Sequence, residues 1–238
     1  MTGRLLGVGV GPGDPDLLTI KGRDALLGAD ALFVPVSESS PSDDPGYAER
    51  VVRAHVPHAT AITRLVFALA EDEREESWRQ AATRVGQVVA EGRTAALATI
   101  GDPNVYSTFT YLAAAVRADH PGVEVATVPG ITAMQDLAAR TGTVLLEHEE
   151  QLTLLPLTAG HERLHEALAG DGTVVLYKGG RRLPEVRAAL AAAGRLQTAV
   201  FGARLGLPDE DVRDALPDEA APYLSTVIVP ARRAQETL

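Results

Sequence analysis

Short apolar runs alternate with longer stretches of helical periodicity along the first half of the chain. Residues 71–91 are one such stretch, with charges at their start. Their regularly spaced apolar positions are Trp78, Ala82, Val85 and Val89. A spacing of three to four residues predicts one buried helix face. Applied along the first half, these patterns predict strands at residues 5–10, 31–36, 61–67, 94–100 and 123–128, and helices at residues 16–28, 47–55, 71–91 and 106–118.

The alternation restarts after Gly130. The second half has predicted helices at residues 132–140, 161–169 and 183–193, and predicted strands at residues 151–155, 173–177, 198–203 and 225–229. The alternation of the first half favours a parallel, helix-flanked sheet, and the second half indicates a further α/β unit. We therefore predict two α/β domains, residues 1–129 and residues 130–238. Small ligands of such proteins bind at the carboxyl ends of strands, and we expect the site in the cleft between the domains.

Composition and charge exclude several classes of function. The chain has 22 Lys and Arg against 32 Asp and Glu, which gives a net charge of −10. Binding to nucleic acid or to an anionic membrane surface normally needs a positive field, so neither partner is expected. The absence of cysteine excludes disulfides, thiolate metal sites and a cysteine nucleophile. With no apolar run approaching the roughly 18 residues of a membrane span, we predict a cytoplasmic location.

The most unusual stretch is Gly-Val-Gly-Val-Gly-Pro-Gly-Asp-Pro at residues 7–15. Its first two glycines are similar to the start of the dinucleotide fingerprint G-x-G-x-x-G, but Pro12 stands where the third glycine would be. Proline has no N–H to donate to a pyrophosphate at the start of a helix. We therefore expect a tight strand-to-helix turn here and no bound dinucleotide.

Two further glycine-containing turns follow predicted strands, at residues 101–103 and 128–133. We call these two turns and the turn at residues 7–15 the glycine corners. Asp102 stands at the carboxyl end of a predicted strand, where its carboxylate either contacts a ligand or caps the helix predicted to begin at Tyr106. Thr132 is placed to cap the helix that follows the third corner. Three such corners after three strands predict one shared site.

The three corners together resemble the tetrapyrrole methylases. The motifs that carry the resemblance are G-x-G-P-G-D-P-x-L-L-T at residues 9–19, G-D-P-x-x-Y at residues 101–106 and V-P-G-I-T-A at residues 128–133. Family members are S-adenosylmethionine-dependent enzymes with two α/β domains and a cofactor cleft between them. Within the family, the branch that methylates carbon 20 of precorrin-2 in cobalamin biosynthesis is the most similar, above all in the stretch Tyr-Ser-Thr-Phe-x-Tyr-Leu at residues 106–112.

The resemblance implies a set of cofactor contacts at matching positions. These are Pro12, Ile100, Gly101, Asp102, Val105, Thr132, Ala133, Lys178 and Ala203. It also implies a tetrapyrrole substrate and a homodimer. Methyl transfer from a sulfonium needs orientation rather than a strong protein nucleophile, and a general base for later proton loss is left open between Tyr106, Tyr111 and the histidines.

A polycarboxylated tetrapyrrole needs basic groups near its site despite the acidic chain. Arg181 and Arg182, beside Lys178, are the first candidates, because guanidinium groups match carboxylates. The alternative is that they are solvated and pair with Glu185. His161 and His165 have metal-capable spacing, but a solvated helix face is favoured and no metal is predicted.

Other functions stay open from the sequence. A second possibility is methylation of cobalt-factor II, or of another corrinoid or uroporphyrinogen, by the same chemistry. Ribosomal RNA 2′-O-methylases share this fold, although the net charge of −10 disfavours RNA. A third class is a non-catalytic protein that keeps the cofactor site for regulation.

Overall fold

The computed structural model describes residues 2–37, 45–56, 61–68, 71–178 and 180–233, without the side chains of residues 71–74 and 159. The strands are β1 (Arg4–Gly9), β2 (Ala31–Ser37), β3 (Ile62–Phe67), β4 (Thr94–Thr99), β5 (Glu124–Val128), β6 (Leu152–Pro156), β7 (Thr173–Tyr177), β8 (Val200–Ala203), β9 (Asp211–Arg213) and β10 (Ser225–Val229). The helices are α1 (Ile20–Leu27), α2 (Tyr47–His55), α3 (Glu71–Ala90), α4 (Phe109–Asp119), α5 (Ala133–Thr141), α6 (His161–Ala169) and α7 (Leu183–Ala192). Short 3-10 helices cover Pro15–Leu17, Leu157–Ala159, Gly180–Arg182 and Leu196–Thr198.

The chain divides into two units, Met1–Thr132 and Ala133–Leu238. The division follows Thr132, whereas the sequence predicted it after residue 129. Both units combine strands with helices, so the predicted α/β class is confirmed. Among the described residues, no helix is long and apolar enough to cross a membrane.

The first unit is built on a five-stranded sheet in the order β3-β2-β4-β1-β5. Every neighbouring pair of strands is parallel, as predicted. Successive side chains of β1 enter different cores, because a strand directs alternate residues to opposite faces. Leu5 packs in the core that includes residues of α3 and α4, and Leu6 packs in the core that includes residues of α1 and α2. The sheet is therefore covered on both faces.

Gly7 explains how α4 approaches the sheet so closely. A Cβ atom on Gly7 would lie 2.7 Å from ring atoms of Phe109, the first residue of α4. Only glycine leaves room for that ring against the middle of β1. The first glycine of the unusual stretch thus serves packing, whereas the second, Gly9, belongs to the carboxyl end of the strand.

Two predicted helices of the first unit begin later than expected. The helix predicted from residue 16 is a 3-10 turn at Pro15–Leu17 followed by α1, because the Thr19 hydroxyl accepts the Gly22 N–H at 3.0 Å and starts a new helix. The helix predicted from Tyr106 begins at Phe109, whose N–H donates to the Ser107 hydroxyl at 3.1 Å. Tyr106 itself has a left-handed backbone, with φ 48°, so it cannot belong to that helix.

A buried carboxylate connects α2 to β3. The Glu49 side chain is 1% exposed and accepts hydrogen bonds from Arg53 at 2.9 and 2.5 Å and from Arg64 at 2.7 Å. Burial would raise the pKa of Glu49, but the hydrogen bonds and charges of Arg64 and Arg53 outweigh it and hold the pKa below its ordinary value. Glu49 is therefore ionised at neutral pH and fixes α2 beside the edge strand.

The second unit has a mixed sheet in the order β6-β7-β10-β8-β9. Strands β6 and β7 are parallel, but β10 is antiparallel to both β7 and β8, and β9 is antiparallel to β8. The parallel arrangement predicted for the first half therefore does not recur in this unit. The periodicity of apolar residues does not reveal strand direction, and the three-residue β9 is too short and too exposed to show a pattern.

Candidate functional site

Three glycine corners meet at one edge of the first sheet. They follow β1, β4 and β5, which are neighbours in the parallel sheet and so end on the same side. The Gly101 N–H donates to the Gly11 carbonyl oxygen at 2.8 Å. A Cβ atom on Gly9 would lie 2.5 Å from the Gly101 oxygen and 2.6 Å from the Gly130 nitrogen. The three loops thus interlock at the level of the backbone, which side chains at these positions would prevent.

Asp102 ties two of these corners together. One carboxylate oxygen accepts the Asn104 N–H at 2.8 Å, and the other accepts the Gly130 N–H at 3.1 Å. The alternative that Asp102 caps the following helix is wrong, because that helix begins only at Phe109. The carboxylate instead places a negative charge at the carboxyl edge of the sheet, where a cationic or hydroxyl-bearing ligand would find it.

The neighbouring predicted contacts gather around the same edge. Gly101 has φ 68°, and a Cβ built on it would have no described atom within 4 Å. Glycine is therefore required by conformation, and it leaves open space in which a ligand can approach the backbone. Pro12 is buried in the first corner, Ile100 packs partly against the core of the sheet, and the half-buried Val105 donates its N–H to the Asp102 carbonyl oxygen at 3.2 Å.

The third corner runs directly into α5. Thr132 is buried, and Ala133 is the first residue of the helix. The first N–H groups of a helix lack partners within it and are available to an acceptor outside. The N–H of Met134, the second residue of α5, already donates to the Tyr177 hydroxyl at 2.9 Å, and the N–H of Gly130 just before the helix donates to Asp102.

The two candidates in the second unit end neighbouring parts of its sheet. Lys178 follows β7, and Ala203 is the last residue of β8. Both strands are antiparallel to β10, which lies between them, so their carboxyl ends share one edge. Ala203 is buried. Lys178 has a left-handed backbone with φ 59°, and its Nζ lies 6.0 Å from the centre of the Tyr223 ring.

Burial gives Lys178 an unusual electrostatic environment. Loss of solvent lowers the pKa of the Lys178 ammonium and raises the pKa of the neighbouring Tyr223 phenol. A lysine in a left-handed conformation costs about 1–2 kcal/mol, which the surrounding structure must offset. Strain of this kind is concentrated at functional sites, which favours Lys178 as a site residue.

The two tyrosines proposed as bases are in different environments. Tyr106 is 41% exposed, and partial burial raises the pKa of its phenol, so it is protonated at neutral pH and poorly suited to accept a proton. Tyr111 is 67% exposed on α4 and its ring centre lies 5.3 Å from that of Trp78. The ring centre of Trp78 lies 4.5 Å from that of Phe67, with the two rings tilted by 44°. Tyr111 is thus the exposed end of an aromatic row that runs through Trp78 to the buried Phe67.

The two arginine candidates also differ. Arg182 donates to Glu185 at 2.8 Å and to the Leu157 carbonyl oxygen at 3.1 Å, and it lies 2.7 Å from His161 Nε2. The same His161 nitrogen lies 2.9 Å from Glu185. The pairing with Glu185 weighed from the sequence is therefore present for Arg182, whose guanidinium is committed to this network. Arg181 is exposed.

Two contacts that support the site had no local sequence signal. His55 Nε2, at the end of α2, lies 2.8 Å from the Pro15 carbonyl oxygen just after the glycine-rich stretch. The Ser107 hydroxyl lies 3.0 Å from that of Thr99, at the end of β4. The first contact joins residues 40 positions apart, which a single sequence cannot reveal. Ser107 belongs to the motif at residues 106–112, but the sequence did not indicate its contact with Thr99.

Comparison with known proteins supports a common origin for this arrangement. The sequence matches the model of the tetrapyrrole (corrin/porphyrin) methylases over residues 4–221. It is 34% identical over 237 residues to a precorrin-2 C(20)-methyltransferase from Sinorhizobium sp, covering 96% of this chain and 95% of the relative. It is 28% identical over 235 residues to the cobalt-precorrin-2 C(20)-methyltransferase of Salmonella typhimurium LT2, covering 96% and 97%.

The fold is shared with solved structures. The uroporphyrin-III C-methyltransferase from Thermus thermophilus, complexed with S-adenosylhomocysteine, gives a TM-score of 0.65 at 24% identity. The match covers 95% of this chain and 97% of that chain.

Proposed function

We propose, given that the chain belongs to the tetrapyrrole (corrin/porphyrin) methylase family, that it transfers a methyl group from S-adenosylmethionine to carbon 20 of precorrin-2 and forms precorrin-3A. The observation that carries this proposal is the 34% identity to a precorrin-2 C(20)-methyltransferase across nearly the whole of both chains. The family predicted from the three glycine motifs is confirmed, and with it the prediction of a methyltransferase.

The residues of the first unit fit S-adenosylmethionine. The open space beside Gly101 admits a ligand to the backbone, and the Asp102 carboxylate next to it suits either ribose hydroxyls or a positive charge. We propose that Pro12, Ile100 and Val105 supply the apolar contacts. From the family resemblance we add Thr132, Ala133, Lys178 and Ala203 as contacts of the same cofactor. When bound, S-adenosylmethionine supplies a methyl group activated by its sulfonium sulfur.

The chain's own contribution to the reaction is orientation. The glycine corners are fixed to one another by backbone contacts and by Asp102, so groups bound at them are held in a defined geometry. Alignment of reacting groups can supply up to about 7–11 kcal/mol of the barrier, with no protein nucleophile required. This agrees with a chain that has no cysteine.

The substrate side needs basic groups and an acceptor for a proton. Arg181 is the better arginine candidate for a tetrapyrrole carboxylate, since Arg182 is committed to Glu185 and Leu157. The general base stays open between Tyr106, Tyr111 and the histidines. The raised pKa of Tyr106 disfavours it in that role.

A second candidate function is methylation of cobalt-precorrin-2 at the same carbon. The similarity to the Salmonella enzyme of that name favours it, at 28% identity against 34% for the metal-free counterpart. We also propose a homodimer, on the family resemblance, and a cytoplasmic location, on the sequence prediction given above.

The test offers the purified protein metal-free and cobalt-loaded precorrin-2 in parallel with S-adenosylmethionine. The proposal predicts faster methylation of the metal-free substrate, and preference for the cobalt form would favour the second candidate. Tight binding of S-adenosylhomocysteine with no turnover of any tetrapyrrole would favour a non-catalytic role.

A further inference from the structure

Tyr177 connects two segments of the second unit that are proposed to hold the cofactor. It is the last residue of β7 and directly precedes Lys178. Its hydroxyl oxygen accepts the N–H of Met134 at 2.9 Å, and Met134 is the second residue of α5, next to Ala133. A single side chain therefore spans from the strand that carries one candidate to the helix that begins with another.

This hydrogen bond gives an N–H group in the first turn of α5 an acceptor that the helix itself cannot provide. The first four N–H groups of an α-helix have no acceptor within the helix, so the Met134 N–H depends on an outside partner. Tyr177 supplies that partner from a ring that is only 9% exposed. A buried ring on a paired strand has little freedom to move, so the position of its hydroxyl is well defined.

The rest of α5 is anchored independently. Leu137, one turn further along, is fully buried and packs against Gly202 of β8, where a Cβ atom would lie 2.8 Å from the leucine. Loss of the tyrosine hydroxyl would leave this apolar anchor in place. It would release only the first turn of the helix, the part that contains Ala133.

We infer that Tyr177 is a positioning residue for the cofactor site, which fixes the start of α5 relative to the end of β7 through its bond to Met134. This inference rests on the proposed function, because it assumes that Ala133 and Lys178 contact the cofactor. It assigns the hydroxyl no contact with the cofactor itself.

The variant Tyr177→Phe removes the hydroxyl and keeps the buried ring. Loss of one hydrogen bond predicts that S-adenosylhomocysteine binds about 3- to 10-fold more weakly by calorimetry. The KM for S-adenosylmethionine rises by a similar factor, while kcat at saturating cofactor changes less than about 2-fold, because the reacting groups are unchanged once bound. Tyr47→Phe, which removes a hydroxyl from α2, is the matched control and leaves the affinity unchanged.

Amide hydrogen exchange tests directly whether Tyr177 acts through its hydrogen bond to Met134. In Tyr177→Phe the Met134 amide exchanges faster, while the amides of β7 keep their protection. In the wild-type protein, addition of S-adenosylhomocysteine slows exchange at the start of α5. Unchanged affinity in Tyr177→Phe, or weaker binding with unchanged Met134 exchange, would overturn the inference. A wild-type protein that binds no S-adenosylhomocysteine would refute the proposed cofactor, and the inference with it.

Discussion

Replacing Gly130 with alanine tests whether the glycine corners must touch at their backbones. The Cβ atom of Gly130→Ala would lie 2.2 Å from the Gly101 carbonyl oxygen and 2.7 Å from the Gly9 carbonyl carbon. Ordinary contact begins at 3.4 Å, so the loops must separate by more than 1 Å. The φ angle of Gly130 does not lie in the left-handed region. Gly130→Ala therefore introduces this steric conflict without an unfavourable backbone conformation.

Overpacking of this kind costs about 1–3 kcal/mol. We therefore expect Gly130→Ala to lower the free energy of unfolding by about 2 kcal/mol and the melting temperature by about 4–8 °C. The affinity for S-adenosylhomocysteine falls at least about 10-fold, since the Gly130 N–H moves away from Asp102. Urea unfolding and calorimetry measure the two effects.

Gly122→Ala is the matched control. A Cβ atom on Gly122 would have no described atom within 4 Å, and this glycine also lacks a left-handed φ. Its stability is expected to stay within about 0.5 kcal/mol of the wild type, with unchanged affinity. If Gly130→Ala matched this control in both measurements, the interlocked corners would not be a requirement of the site.

Four further substitutions test separate parts of the structure. Glu49→Gln is expected to cost about 2 kcal/mol at pH 7. Because the folded pKa of Glu49 is lowered, its stabilisation is present above the unfolded pKa and is lost as pH falls through the folded value, so unfolding curves of the two proteins converge in acid. Asp102→Ala leaves the Gly130 N–H without its acceptor and weakens S-adenosylhomocysteine binding about 10-fold by calorimetry; equal affinity would contradict this role. Arg181→Ala is expected to raise the KM for the tetrapyrrole several-fold in steady-state kinetics. Arg182→Ala is expected to lower the free energy of unfolding by about 1 kcal/mol and to leave that KM unchanged. A raised KM in Arg182→Ala with an unchanged KM in Arg181→Ala would contradict the assignment.

Local patterns were sufficient for most helices and strands. The helices Tyr47–His55 and His161–Ala169 have the predicted bounds, since each has a clear apolar face and distinct ends. The start of Phe109–Asp119 was wrong because a left-handed residue, Tyr106, interrupts an otherwise helical pattern. A positive φ at a non-glycine residue is imposed by tertiary contacts and has no sequence signature.

Strand order and strand direction could not be predicted from the periodicity of apolar residues. The parallel sheet of the first unit follows from alternating strands and helices, but β10 reaches its antiparallel position after a long stretch without a helix. The interlocking of Gly9, Gly101 and Gly130 was predicted only as a shared site. The hydrogen bond between Tyr177 and Met134 joins residues 43 positions apart, which no local pattern in the sequence reveals.

The position of the transferred methyl group tests the central claim most directly. Precorrin-2 is incubated with the protein and S-adenosylmethionine labelled with carbon-13 in its methyl group, and the product is assigned by mass spectrometry and NMR. We expect one added methyl group, bonded to carbon 20. A label on any other carbon, or none on the tetrapyrrole, would contradict it.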